Sequence, residues 1–430
     1  MKIISKLRIS PYTRLFWTEY QLDPLRADYN IVFDQTITGG LDLVQLNRAV
    51  HKFVHDHILM NSHLIEEGEK LYWIKNASIL ELQIFNSCKG QADFVKQPFR
   101  LEQGPLYRFG VFKKSEQVHI FIIVFHHVLI DGLSFDYFID QFSRYYNGMA
   151  VQKIRDQEKR ISDITVSLEN NIQSCFEVSK GFWSEKLKAL PPKNELPYSK
   201  SKTKTNLIGE KQFSIKKSDY ALWTKNLNLK VSNNNIFMLI WSVLVARYSK
   251  QTTAQVSYPV AIKQGADFIY GAHINTLIFA LDLDTQTTLL GVIDHLRIEL
   301  QSIVRHSYLP TQYMIQDSPI KKLNVGFAQT NLKNKLFDFG ECEASVNKRF
   351  NIDIAGSELL LEYEEVKGYF NFRLRYRKDL FSVSQIHSLS SHYINLLRNV
   401  LLSPEEKLFS HCYLNKKEYE QIVYEWNKTD

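Results

Sequence analysis

The chain has 430 residues, of which 44% are apolar and 13% aromatic, so it can build more than one packed domain. Its 53 basic and 46 acidic residues give a formal charge of +7, and the basic residues are scattered along the chain. Because no basic cluster is interleaved with stacking aromatics, the composition argues against nucleic-acid binding and is compatible with an acidic protein partner.

The cysteines and the apolar runs indicate the compartment. The four cysteines are far apart and form no Cys-x-x-Cys pair, so neither a zinc site nor a disulfide framework is indicated. The N-terminus, MKIISKLRIS, lacks the apolar segment of a signal peptide, and the longest apolar run, 236–246, is too short to span a bilayer. We therefore expect a soluble, cytoplasmic protein.

Periodicity in the first part of the chain predicts alternating helices and strands. Residues 41–57 carry apolar side chains at helical spacing after a Gly-Gly turn, and residues 118–125, VHIFIIVF, predict a strand. Residues 133–148 predict a helix that stops at Asn147-Gly148. One face of this helix is apolar and consists of Phe135, Phe138, Ile139, Phe142, Tyr145 and Tyr146.

The second part of the chain repeats this α/β pattern. Residues 150–180 are polar, and the Pro-, Lys- and Ser-rich stretch 191–205 predicts a crossing between two lobes. Beyond it, the sequence predicts a buried helix at 233–248 and a strand at 254–262. A loop, INTLIFALDLD, and a helix, TTLLGVIDHLRIELQSIVRH, are expected to follow.

The stretch FHHVLIDGLS (125–134) stands between the predicted strand and the predicted helix. A neutral imidazole can take a proton from an amine or alcohol near pH 7, although a lone histidine is more often structural. Consecutive side chains of an extended backbone point to opposite faces, so His126 and His127 are not expected to serve one site. We expect one to be structural and the other to be available for chemistry.

The same divergence argues against a metal, because about three ligands must converge on a catalytic zinc or iron. Asp131 either orients a catalytic imidazole or pairs with an arginine and holds the loop, and the residues alone leave both roles open. Gly132 would let the backbone approach a substrate or take a positive φ. The N-terminus of the following helix would offer N–H groups to a developing oxyanion.

The stretch HHVLIDG resembles the HHxxxDG signature of the condensation domains of nonribosomal peptide synthetases and of their acyltransferase relatives. The C-terminal EYEQIVYEWNKTD resembles the linker into an adenylation domain, with a Trp-Asn-x-Thr pattern at Trp426, Asn427 and Thr429. The heterocyclising variant of the family has Asp in place of the first histidine, and this chain keeps His126. Other segments similar to family motifs are ISPYTRLFW (9–17), QPFRLEQGPLYRFGVF (97–112), FWSEKL (182–187), GAHINTL (271–277) and RHSYLP (305–310).

The chain departs from the family pattern at three places. Where the family commonly has Arg-His-Glu-x-Leu-Arg, the chain has VHDHILMNSH (54–63), which contains no arginine to pair with Asp131. Arg100 replaces an aspartate that is common after Pro-Phe, and an arginine expected after the second-lobe strand is lost in AIKQGADF (261–268). These departures concern the subtype and the substrate more than the reaction class.

The resemblance implies an α/β fold of two chloramphenicol-acetyltransferase-like lobes, arranged as a V-shaped pseudo-dimer with the active site in a tunnel between them. We place the N-terminal lobe at 1–175, the C-terminal lobe at 176–412 and the start of the linker at 413–430. The implied reaction forms an amide bond between a thioester donor and the α-amine of an aminoacyl acceptor.

The resemblance also implies a role for each residue of the motif. His127 would face the tunnel, position the amine, and remove or stabilise its proton. His126 and Asp131 would hold the loop, and Gly132 would have a backbone role near the substrate. Ser134 and Asn275 are candidates for lining the tunnel, although a capping or structural role suits each equally well.

No cofactor is expected to bind the chain itself, because the substrates arrive on the 4'-phosphopantetheine of carrier proteins. The expected partners are donor and acceptor carrier domains and a C-terminal adenylation domain, with no nucleic acid, no membrane and a monomeric excised domain. Only eight residues precede Ile9, so the donor is expected from another molecule, and a starter domain is slightly favoured over a chain-elongating one.

Three other functions stay open. A stand-alone acyltransferase that uses coenzyme A would share the motif but would not explain the EWNKT tail. An epimerisation domain would exchange an α-proton without joining two substrates. An inactive recruitment module would normally carry a degraded motif, and this motif is intact.

Overall fold

The computed structural model describes residues 6–68, 70–75, 80–151, 155–199, 207–262, 270–330, 336–351 and 356–425. The strands are β1 (Lys6–Arg8), β2 (Asn30–Thr38), β3 (Ser62–Glu67), β4 (Lys70–Lys75), β5 (Gln83–Phe85), β6 (Tyr107–Ser115), β7 (Val118–His126), β8 (Ile208–Lys216), β9 (Val256–Ala261), β10 (Ile274–Phe279), β11 (Val325–Gln329), β12 (Glu343–Asn351), β13 (Leu359–Val366) and β14 (Tyr369–Arg377). The helices are α1 (Arg14–Leu22), α2 (Leu43–Asp56), α3 (Gln91–Lys96), α4 (Gly132–Tyr146), α5 (Gln157–Leu187), α6 (Lys217–Trp223), α7 (Asn233–Tyr248), α8 (Leu289–Arg305), α9 (Thr311–Ile315), α10 (Val383–Leu402) and α11 (Lys416–Glu420).

The chain forms two compact units. The first unit comprises Met1–Ser174, Ala261–Asn275 and Leu332–Ala355. The second unit comprises Cys175–Val260, Thr276–Asn331 and Gly356–Asp430. Two segments from late in the sequence therefore belong to the first unit, and each unit combines helices with its own sheet.

The first unit is built on a five-stranded sheet in the order β12-β2-β7-β6-β5. β7 pairs antiparallel with β2 on one side and with β6 on the other. Residues 121–126 of β7 are all buried, as expected for a continuous apolar run in the middle of a sheet. A separate three-stranded sheet has the order β1-β4-β3.

α4 covers this sheet and has the predicted apolar face. All six predicted face residues are buried, and the helix ends at Asn147, followed by Gly148 with a φ of 63°. α2 packs beside it, with the rings of Phe53 and Phe138 4.8 Å apart. The strand and the helix that flank the histidine motif thus form where the sequence predicts them.

The second unit has a six-stranded sheet in the order β10-β9-β11-β13-β14-β8. β11 pairs in parallel with β9 and β13, whereas β13, β14 and β8 pair antiparallel. α7 is apolar on all sides, and its residues 236–246 are all buried, which confirms the predicted buried helix. Within the described residues, no helix is long and apolar enough to cross a membrane.

Two sequence-based expectations were wrong. The start of INTLIFALDLD is strand β10 rather than a loop, because its apolar residues Leu277, Ile278 and Phe279 are buried in the core. The second concerns the crossing at 191–205, because the polar stretch before it, for which no element was predicted, contains the 31-residue helix α5. The chain passes between the units inside α5, after Ser174, and not at 191–205.

Candidate active site

The histidine motif connects the central strand of the first unit to helix α4. β7 ends at His126 and α4 begins at Gly132, and the residues between them form a short loop. The backbone N–H of His126 donates to the carbonyl of Leu106 at 2.9 Å, and that of His127 donates to the carbonyl of Tyr29 at 2.8 Å. The sheet therefore fixes both histidines through their backbones.

His126 has the surroundings of a structural residue. Its Nδ1 accepts a hydrogen bond from the backbone N–H of Val128 at 3.1 Å, which assigns the ring proton to Nε2. Burial, and then the charges of His127 and Arg26, lower the pKa of His126 to about 3. The ring packs against three aromatic side chains, namely Phe16, Tyr29 and Phe99.

His127 has the opposite tautomer. Its Nδ1 lies 2.9 Å from the carbonyl oxygen of Ile130, which can only accept, so Nδ1 carries the proton and Nε2 carries the lone pair. Burial lowers the pKa of His127, and its hydrogen bonds and the charge of Asp131 oppose this shift only in part. The imidazole is therefore neutral near pH 7 and has a basic Nε2, as a general base requires.

Asp131 caps helix α4 and is 4% exposed. Its Oδ1 accepts from the backbone N–H of Ser134 at 2.8 Å and from the Ser134 hydroxyl at 2.7 Å. Its Oδ2 accepts from the backbone N–H of His273 at 3.3 Å. No lysine or arginine in the described part of the chain pairs with Asp131, so its contacts are those of a residue that holds the loop.

Gly132 and Ser134 lie in the first turn of α4. The backbone of Gly132 does not have a positive φ, so that alternative was wrong, and a Cβ added there would meet nothing within 4 Å. Ser134 is buried, and its backbone N–H and its hydroxyl both donate to Asp131. The Ser134 amide is thus not available to an oxyanion, and the contacts of Ser134 are those of a cap.

A segment of the first unit that sequence reasoning did not connect to the motif supports the loop. The backbone N–H of Ala272 donates to the carbonyl of Val128 at 3.3 Å, and His273 donates to Asp131 as described. Asn275 lies two residues further on, at the start of β10, and is buried. His273 belongs to GAHINTL (271–277), which resembles a family motif, but its contact to Asp131 could not be predicted because it joins residues far apart in the chain.

The segments that depart from the family pattern have structural contacts where they are described. Asp56 accepts a hydrogen bond from the Tyr145 hydroxyl at 2.9 Å, and Nδ1 of His57 lies 2.7 Å from the carbonyl of Phe53. Residues 263–268 of AIKQGADF lie outside the described residues, as do Trp426, Asn427 and Thr429. Among the residues that the structure describes, no cluster of three or more His, Cys, Asp or Glu could hold a metal.

Comparison with known proteins identifies the family. The Condensation domain family model matches residues 6–423, and the chain belongs to the condensation domain family of nonribosomal peptide synthetases. Surfactin synthase subunit 1 of Bacillus subtilis strain 168 is 25% identical over 446 residues, which cover 97% of this chain and 12% of the synthase. The chain therefore spans about an eighth of the length of that relative.

Two solved structures have the same fold. The X-domain from teicoplanin biosynthesis matches with a TM-score of 0.82 at 14% identity, over 96% of this chain and 98% of that one. A variant of the starter condensation domain of rhizomide synthetase, in complex with C8-CoA, matches with a TM-score of 0.76 at 13% identity, over 96% of this chain and 98% of that one. Both matches extend over the two compact units.

The family defines the enzyme class. Condensation domains of nonribosomal peptide synthetases are acyltransferases that form amide bonds, and this chain is an enzyme of that class. The family has no cofactor of its own, because its substrates are carried on the phosphopantetheine of carrier domains. The matched relatives include synthases of surfactin, gramicidin and tyrocidine.

Proposed function

We propose that the chain joins a carrier-bound acyl or peptidyl thioester to the α-amine of a carrier-bound aminoacyl thioester, with His127 at the reacting atoms. The observation that carries this proposal is the tautomer of His127. Its Nδ1 proton is held by the Ile130 carbonyl, which leaves the basic Nε2 as the nitrogen that can receive a proton. His126 has the reverse arrangement, with its Nδ1 occupied as an acceptor.

The proposed step conserves atoms and charge. The acceptor nitrogen attacks the carbonyl carbon of the donor thioester, a C–N bond forms, and the C–S bond breaks. The proton that the nitrogen loses passes to Nε2 of His127 and then to the leaving sulfur, which departs as the thiol of the donor phosphopantetheine. The imidazole returns to its neutral form, and no oxidant, metal or nucleotide takes part.

Positioning contributes more to this reaction than proton transfer does. A thioester is already an activated acyl group, and alignment of two tethered reactants contributes up to about 7–11 kcal/mol. A general base contributes about 10²- to 10⁴-fold. We therefore assign His127 a modest catalytic role and give the larger share to the surfaces that align the two phosphopantetheine arms.

The other motif residues support this role in the proposal. Asp131 and His126 hold the loop, and the open space beside Gly132 leaves room for a substrate to approach the backbone. Ser134 and Asn275 remain weaker candidates for substrate contact. The V-shaped pair of lobes at 1–175 and 176–412, with a tunnel between them and a linker from 413, is carried over from the family as part of the same proposal.

The test compares His127→Ala with His57→Ala. His57 is also buried in the first unit and also places Nδ1 against a backbone carbonyl, so it controls for the loss of a packed imidazole. We expect His127→Ala to form amide at least about tenfold more slowly from loaded donor and acceptor carriers. His57→Ala, if folded, should keep the parent rate. Full activity of His127→Ala would remove the catalytic role.

For the donor, we propose a starter domain that receives an acyl thioester, which agrees with the C8-CoA complex of the rhizomide synthetase starter domain. The purified protein would be offered acyl-coenzyme A, acyl-carrier and peptidyl-carrier donors with one loaded acceptor carrier. Product from peptidyl carriers alone would contradict the starter assignment. Efficient product from acyl-coenzyme A with a free amine would favour the stand-alone acyltransferase.

A further inference from the structure

A small cavity in the first unit lies behind the loop that carries Asp131. Its volume is about 20 Å³, and Ser10, Val128, Gly271 and His273 are among the residues that line it. A cavity needs roughly 10–15 Å³ to hold one water, so this space fits a single water and is too small for an organic ligand. Water occupies such a cavity when polar groups line it.

Two polar side chains of the cavity wall have unmet hydrogen bonds. The imidazole of His273 is 9% exposed, and the backbone carbonyl of Tyr270 lies within reach of the ring, but neither Nδ1 nor Nε2 makes a well-aligned hydrogen bond with a described residue. The hydroxyl of Ser10 is also buried and lacks a partner in the same part of the chain. A buried donor without an acceptor costs about 1–3 kcal/mol. A neutral imidazole has one N–H and one acceptor nitrogen, and the Tyr270 carbonyl can serve only the N–H, so the acceptor nitrogen is left for a donor in the cavity.

The backbone of the same segment supports the catalytic loop. The N–H of His273 donates to Oδ2 of Asp131 at 3.3 Å, and the N–H of Ala272 donates to the carbonyl of Val128 at 3.3 Å. Gly271 has a φ of +139°, and a Cβ on it would lie 2.8 Å from Nε2 of His273. The chain therefore adopts a conformation that favours glycine in order to place this imidazole at the cavity.

We infer that the cavity holds one water, which hydrogen bonds to the His273 ring and to the Ser10 hydroxyl, and that His273 is thereby a positioning residue for His127. The water fixes the ring, the ring fixes the backbone of residues 271–273, and this backbone holds Asp131 and Val128 on either side of the loop. The functional part of this inference rests on the proposed role of His127, whereas the water itself does not.

The first test observes the water and its energetic coupling without measuring activity. A high-resolution crystal structure of the protein should show a water within about 3.2 Å of a His273 ring nitrogen and of Ser10 Oγ. Ser10→Ala and His273→Phe should each lower the melting temperature, and the double variant should be no less stable than the worse single variant, because both substitutions remove the same bridge. An empty cavity in the crystal structure would overturn the inference. So would a double variant whose melting temperature falls by the sum of the two single decreases.

A matched control separates the bridge from the loss of any buried hydroxyl. Ser249, in the second unit, is also buried and its hydroxyl also has no partner among the described residues. Ser249→Ala should lower neither the melting temperature nor the turnover rate. If Ser10→Ala behaved like Ser249→Ala in both measurements, the proposed bridge would not exist.

The second test measures positioning. We expect Ser10→Ala to lower kcat about three- to tenfold with little change in the KM for the acceptor, since a misplaced base acts on the chemical step. His273→Gln keeps a donor and an acceptor in the cavity and should be faster than His273→Phe. Equal rates for these two variants, or a wild-type kcat for Ser10→Ala, would contradict the positioning role.

The two proposals can fail separately. If His127→Ala kept full activity, the function proposed for His127 would fall, yet the water and its coupling in thermal unfolding would still be found. If the water were absent while His127→Ala was inactive, only the present inference would fall.

Discussion

Replacement of Asp131 by alanine should destabilise the first unit far more than the loss of an ordinary helix cap. The substitution removes the acceptor of the Ser134 N–H at 2.8 Å, of the Ser134 hydroxyl at 2.7 Å and of the His273 N–H at 3.3 Å. The hydroxyl can rotate to a new partner, but the two backbone N–H groups are left unsatisfied. The Ser134 N–H is the donor that the cap satisfies, and each buried orphan donor costs about 1–3 kcal/mol, so about 2–6 kcal/mol is expected for the two, against about 0.5–2 kcal/mol for an ordinary cap.

The matched control is Asp42→Ala. Asp42 caps α2 through 2.9 Å bonds to the N–H groups of Val44 and Gln45, but it is exposed, so water replaces the lost acceptor. Its replacement should cost about 1 kcal/mol. In a domain of roughly 150–250 residues 1 kcal/mol corresponds to about 2–4 °C, so Asp131→Ala should melt at least about 4 °C lower than the parent and Asp42→Ala about 2–4 °C lower.

The assay is thermal unfolding followed by circular dichroism, with Asp131→Asn as a third variant. Asparagine is a good cap and keeps the acceptor for Ser134, but its NH₂ would face the N–H of His273, so this variant should fall between the other two. Equal shifts for Asp131→Ala and Asp42→Ala would refute the reasoning. A stable but inactive Asp131→Ala protein would favour a direct catalytic role for this carboxylate.

Further outcomes follow from the buried histidines, the motif glycine and the surface charge. Burial lowers the pKa of His126 to about 3 and that of His57 to about 4, so below about pH 6.5 the unfolded chain binds more protons than the folded one. Stability in urea should therefore fall as the pH drops from about 6.5 towards 4, by up to about 1.4 kcal/mol per pH unit for each histidine, and a flat profile would contradict this. A chelator should leave activity unchanged, and restoration of a chelated enzyme by zinc or iron would disprove the divergence of His126 and His127. Gly132→Ala should keep the parent melting temperature, because a Cβ there meets only open space. It should lose activity, because the added methyl group would fill the space through which the substrate is proposed to approach the backbone. The rate with carrier-bound substrates should decline from low to high salt if the net charge of +7 aids docking of acidic carriers, and rates indifferent to salt would exclude that attraction.

The sequence was sufficient to predict the local structure around the motif. The apolar run of β7, the aromatic face of α4 and the Asn-Gly stop are all local patterns, and the structure shows each of them. Strand geometry also predicts separate roles for the two histidines, and this stays a prediction. Their opposite tautomers could not be predicted, because they depend on the backbone path at Val128 and Ile130.

Features that depend on distant parts of the chain were not predictable. The sequence showed that the segment 54–63 offers Asp131 no arginine, but not that the backbone N–H of His273 would bond to the carboxylate instead. Strand β10 was mistaken for a loop because it has no alternating pattern, and its strand character depends on burial in the sheet. Nothing local indicated that 261–275 and 332–355 would join the first unit.

The pairing of β12 with β2 has a consequence for synthesis of the protein. Thr36 in β2 and Asn347 in β12 bond to each other although 311 residues separate them. A ribosome that adds about 5–20 residues per second takes roughly 15–60 s to travel this distance. Throughout that time the outer edge of β2, most of whose residues are buried in the finished protein, stays open in the nascent chain. An open edge of this kind pairs readily with other chains, so the growing polypeptide is exposed to aggregation during this time, and a β12 donated by a neighbouring copy would produce a strand-swapped dimer.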